Sequence, residues 1–234
     1  MSNKEKDIIL VREEAVDLIR DGVVKIQSNA LEGDRIMQIL HPLSLGFEKL
    51  FKSIILVGNS LRSTAETSKY YKGSAGHDLL TLLDYIRSSC FLEDYLLSVP
   101  IGRSDKEYLA SVHVLAFFEI LGFYSQKGRY DKIDNIIKNS IHTSPEELWY
   151  TLEQAIIYQK APELFDNLGE PDALSSALKL VRVELVVMVE RTVRALARLL
   201  TIGGLAGSNK SLYIPLKSFL FIQDDKLGHR QYRS

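Results

Sequence analysis

Arg191, Arg194 and Arg198 stand at i, i+3 and i+7 and therefore share one stripe of any helix that carries them. Guanidinium groups at that spacing suit phosphate binding, each contact adding affinity that salt weakens, which makes the three nucleic-acid-binding candidates. A structural use is open too: Glu190 stands four residues before Arg194, and cations late in a helix complement its dipole. Lys210, Lys217, Arg230 and Arg233 enlarge the patch if the tail folds back. Lys69, Tyr70, Tyr71 and Lys72 interleave cations with rings, a pattern that stacks on bases or simply packs.

Other chemistry is poorly provided for. The single cysteine, Cys90, has no nucleophile signature around it and reads as a buried structural thiol. Histidines 41, 77, 113, 142 and 229 include no i, i+4 pair of the kind that holds zinc on a helix. His113 sits among Val112, Val114 and Leu115, as a core or boundary histidine does. The run Gly203–Ser211 fails as a phosphate loop, because Asn209 stands before Lys210 where that motif needs glycine. No sequence spacing selects a general acid–base pair of carboxylates, and no cofactor is called for.

The elements that position these residues are helical almost throughout. Ile8, Val11, Ala15, Val16 and Ile19 recur at three- and four-residue steps, giving a helix from Ser2 or Asn3 to about Ser28. A turn around Glu32–Asp34 precedes a short helix to Leu40, which His41-Pro42 is expected to break. An apolar helix then runs from Leu43 to a stop at Gly58-Asn59, and His77-Asp78 opens another; residues 60–76 between them read as loop or solvated helix. Ser104–Glu107 reads as a capping box starting a helix to about Ser125, and Ser144–Glu147 as a second start, to about Gln159. A shorter helix is expected over 131–139. Pro171 opens the longest, ~30 residues or about 45 Å, ending at Gly203-Gly204, with a β-branched centre that a strand would also favour.

Two segments together resemble the core of the HEPN (higher eukaryotes and prokaryotes nucleotide-binding) family. Phe47–Leu56 matches its amphipathic helix through Glu48, Lys49 and Lys52, and Gly76–Leu83 matches its second helix through His77, Asp78 and Leu79. The resemblance implies a helical bundle, frequent dimerisation, and a role in bacterial stress, toxin–antitoxin or phage-defence systems acting on RNA or nucleotides. Catalytic members carry an arginine followed a few residues later by a histidine, late in the bundle. In this sequence such a spacing occurs only at Arg35 and His41, ahead of the matching helices instead of behind them. That departure weighs against ribonuclease activity and leaves Arg35 and His41 as weak catalytic candidates, and the histidine spacings offer no metal site.

Composition sets the frame. Lys plus Arg (29) balances Asp plus Glu (30), so nothing in the whole-molecule charge argues for nucleic acid or anionic lipid. No apolar run reaches the ~20 residues a membrane span needs, and neither signal peptide nor cysteine pair points away from the cytoplasm. The expectation is an all-α multi-helix bundle over 1–204, HEPN-like around 43–100, with an apolar C-terminal arm over 205–234. The arm must dock on its own domain or on a partner, and a homodimer is the natural way to bury it. Function follows as contact with RNA, nucleotide or a partner protein; the alternative is a homodimeric scaffold with no nucleic-acid role.

Overall fold

The computed structural model describes residues 2–28, 36–60, 74–128, 144–205 and 210–232. Ten α-helices and no strand occur among them. The turn at 32–34 and the short helix at 131–139 lie outside the described residues, as do Arg35, Lys69, Tyr70, Tyr71, Lys72, His142 and Arg233.

Helix α1 (Asn3–Gln27) begins at a capping box in which the Ser2 hydroxyl accepts from the Glu5 amide and Glu5 reaches back to the Ser2 amide. Helix α2 (Ile36–Ser60) runs antiparallel to it, Arg12 meeting Ser53 at one end and Gly22 meeting Leu43 at the other. The two cross closely at Gly46, where a Cβ would stand 2.8 Å from Ile19 and 3.0 Å from the Ala15 carbonyl. Helix α2 passes straight through Pro42, against expectation. The proline removes the donor for the Gln38 carbonyl, but Ile36, Ile39, Leu40, Leu43 and Phe47 are all fully buried, and that apolar face outweighs one lost bond.

Next come α3 (Leu79–Tyr85), α4 (Glu93–Ser98), α5 (Pro100–Tyr108) and α6 (Val112–Phe123). The expected helix from Ser104 is thereby corrected. Ser104 lies inside α5, the chain turns at 109–111, and Ser111 occupies the N-cap position of α6. Tertiary demand wins over the local capping pattern here, because Asp105 turns inward to meet Arg198. The second start behaves as read: Ser144 and Glu147 cap each other at the head of α7 (Pro145–Lys160). A short α8 (Pro162–Phe165) leads to α9 (Pro171–Thr201), helical through its β-branched centre, and α10 (Lys217–Leu220) lies in the arm.

Aromatic rings centre the core. Phe47 and Phe51 of α2 lie 4.9 and 5.2 Å from Phe118 of α6, and Phe117 reaches Trp149 of α7 at 6.3 Å. Cys90 is buried, as expected. No single helix among the described residues is long and apolar enough to cross a membrane.

The arm docks on its own bundle. Leu212, Leu216, Phe219 and Ile222 are buried, and Tyr232 stacks on Phe219 at 6.0 Å. Polar contacts fasten it at both sides: Arg12 of α1 donates to the Leu212 carbonyl, and Arg194 of α9 donates to the Ile222 carbonyl at 2.7 Å. The argument that a homodimer is needed to bury the arm therefore falls away.

Candidate functional site

Helical periodicity in α2 sends Phe47, Leu50, Phe51, Ile54 and Ile55 into the core and leaves Glu48 at its rim, with a side chain 10% exposed. One turn on, Lys52 donates to Glu48 Oε1 at 2.8 Å. His77 closes a 3₁₀ turn (Ser74–His77), and its Nδ1 lies 3.1 Å from Glu48. Ser125 sits in a π-helical turn (Tyr124–Gly128) that widens the end of α6, and its hydroxyl donates to Glu48 at 3.2 Å. Three elements thus aim donors at one carboxylate.

The electrostatics follow from that shell. Burial pushes the Glu48 carboxyl up, but hydrogen bonds and charge from Lys52 and His77 outweigh it and hold the group below the usual carboxylate range. An ionised carboxylate only accepts, so Nδ1 of His77 is the donor to Glu48 and the ring is oriented by that bond. With the His77 side chain 52% exposed, this is a carboxylate-oriented imidazole open to solvent, an arrangement that hydrogen-bonds a ligand or shuttles a proton.

Asp78 plays a different part from its neighbour. It caps α3, Oδ1 accepting from the Leu80 amide at 3.0 Å and Oδ2 from the Thr81 hydroxyl at 2.8 Å. By fixing where α3 starts, it fixes where His77 ends. Lys49 points away from Glu48 and pairs with Glu14 across α1. Lys49 and Lys52 together edge an open groove of about 400 Å³, where Lys4 and Asp7 face them over a floor of Ile8, Val11 and Leu56.

The arginine stripe is put to other uses. Arg194 is 3% exposed and spends its donors on the Ile222 carbonyl and, at 2.5 Å, on Asp224. Arg198 pairs with the buried Asp105 at 3.1 Å, and Arg191 lies over the Tyr108 ring at 4.0 Å. Glu190 does not turn to Arg194 but accepts from the Gly228 amide and the Tyr232 hydroxyl, both in the arm. Two of the stripe's three members are thus turned inward to bond α5 and the arm. Of the weak catalytic pair, Arg35 lies outside the described residues, while His41 Nδ1 stands 3.4 Å from the Tyr124 hydroxyl. His113 is half-buried, a boundary position.

Sequence reasoning did not find Ser125. Its 77-residue separation from Glu48 has no local signal, and only the fold brings the widened end of α6 against α2. Among the described residues no group of three His, Cys, Asp or Glu side chains comes together to hold a metal ion. Comparison with known proteins gives no match: neither a family, nor a curated protein, nor a solved structure is similar to the chain.

Proposed function

We propose that this chain is a HEPN-like helical protein of a prokaryotic stress or defence system, contacting RNA along the Lys4, Lys49 and Lys52 groove without cutting it. The observation that carries the reading is the meeting of the two resembling segments. Glu48 and Lys52 from the first and His77 from the second form one hydrogen-bonded cluster at the rim of a lysine-edged groove. Lysines there neutralise phosphates, and His77 supplies a directional contact beside them. The non-catalytic half rests on the sequence, where no arginine–histidine pair follows the matching helices.

Fluorescence anisotropy of labelled single-stranded RNA across a salt series tests this, with the same mixtures run on a denaturing gel. The wild type binds with a steep salt dependence, and Lys49→Ala/Lys52→Ala lowers the slope of log K against log salt by about 1.4, two contacts at ~0.7 each on a single strand. Intact RNA supports the non-catalytic assignment and cut RNA overturns it. No binding at low salt sinks the RNA reading and favours the homodimeric scaffold, which light scattering then has to show as a dimer.

A further inference from the structure

A cavity of about 770 Å³ lies away from Glu48, where the arm meets α1. Its apolar wall is Ile214, Pro215, Phe221 and Ile222, and two of these stand unusually proud for large apolar side chains: Ile214 is 54% and Phe221 66% exposed. Around that wall are Arg20, Lys217, Lys226, His229 and Arg230, and no carboxylate lines the cavity among the described residues. Arg20 pairs with Asp17 at 3.6 Å and Lys226 with Asp225 at 3.3 Å, whereas Lys217 and Arg230 line the apolar opening with no ion pair among the described residues.

Two of the cations are held in place. Ser218 gathers both guanidinium groups, its hydroxyl accepting from Arg20 Nη2 at 2.7 Å and its carbonyl from Arg230 Nη1 at 2.6 Å. Arg230 also lies over the Tyr232 ring at 5.3 Å. Planar guanidinium groups fixed in this way are preorganised for a carboxylate or phosphate and lose little entropy on binding it. The volume is that of a small-molecule site.

We propose that this cavity binds a soluble organic anion with an apolar body, its carboxylate or phosphate head on Arg230 and Lys217 and its body along Phe221 and Ile214. The site is independent of the lysine groove assigned to RNA. It would also make occupancy a clamp on the arm, since Arg20 belongs to α1 while Lys217, Phe221 and Arg230 belong to the arm.

The test is titration of the full chain with anilinonaphthalene sulfonate, an aromatic anion that fluoresces on entering an apolar site, beside its uncharged analogue phenylnaphthylamine. The sulfonate binds the wild type at one site, and free laurate or dodecyl phosphate displaces it. Lys217→Glu/Arg230→Glu weakens the sulfonate at least about tenfold and the neutral dye less than about twofold, while Phe221→Ser weakens both. All three residues are surface-accessible, and unchanged thermal melting of the variants shows that they fold. Sulfonate binding that both variants leave unchanged overturns the proposal, as does equal loss of the two dyes in the charge variant. Co-sedimentation with phosphatidylglycerol vesicles but not phosphatidylcholine vesicles, without displacement by free laurate, assigns the site to a membrane headgroup instead. Displacement of the sulfonate by single-stranded RNA merges the cavity with the RNA surface and likewise overturns it, leaving the lysine-groove reading to stand on its own titration.

Discussion

Glu48 and Glu190 are both carboxylates at the inner side of a long helix, and each accepts hydrogen bonds from elements distant in sequence. Glu48 takes them from Lys52, His77 and Ser125, beside a histidine open to water. Glu190 is fully buried and takes them from the Gly228 amide at 2.6 Å and the Tyr232 hydroxyl at 2.7 Å. Basic donors hold the first below the usual carboxylate range, while burial pushes the second above it because neutral dipoles compensate only part of the desolvation. The contrast separates a fastener from a site. Around Glu190 the hydrogen bonds close the arm onto the bundle; around Glu48 a lysine and an imidazole are assembled, and the imidazole is left accessible.

The sharpest way to break that distinction is to cut the fasteners. Replacing Arg198 with Ala leaves Asp105 buried without its cation, and should cost about 3–5 kcal/mol in urea unfolding; Asp105 is 3% exposed at the pair. Arg12→Ala comes next, at about 3 kcal/mol. Arg12 is wholly buried and bonds Ser53 on α2 at 2.9 Å as well as the arm at the Leu212 carbonyl. The arm of that variant should become sensitive to limited proteolysis. A loss below about 1 kcal/mol would show that apolar contact, not the polar clasp, secures the arm.

The two carboxylates should also answer pH with opposite signs. Folded Glu48 gives up its proton below the ordinary carboxylate value, so its stabilisation is present above that value and is lost as pH falls through the folded one. Glu48→Gln should therefore cost stability at neutral pH and nothing in acid. Folded Glu190 keeps a proton that the unfolded chain has already released, so its contribution falls as pH rises from the ordinary value to the raised one. Glu190→Gln should gain ground on the wild type as pH rises over that window. Urea midpoints of the three proteins from acid to neutral pH decide it, and parallel curves for the two variants would remove the contrast. The smallest effect is expected at Lys52→Ala, below about 1 kcal/mol for a partly exposed pair, with loss of RNA affinity as its main consequence.

Much of the fold was legible before any coordinates. Ser144-Pro145 with Glu147 forms the helix start that such a spacing specifies, α1 starts where apolar periodicity places it, and Gly203-Gly204 ends α9. Pro42 and Ser104 were misleading for one reason. Each makes a local statement worth about 1–3 kcal/mol, and each sits where burial or an inward ion pair makes a larger one. Of the candidate site, Glu48 to Lys52 is a four-residue step that a helix necessarily brings together, whereas His77 came only through the resemblance and Ser125 not at all.

The sequence by itself therefore determined the all-α class, the long last helix and the existence of an arm too apolar to lie free, because periodicity, caps and composition are local quantities. The tertiary structure alone decided that the arm closes on its own bundle. It also decided that Arg194 and Arg198 face inward and that Arg20 and Arg230 meet at Ser218. Those pairings join residues 28 to 198 positions apart, and over such separations it is the packing of α1, α5 and α9 that chooses each arginine's partner.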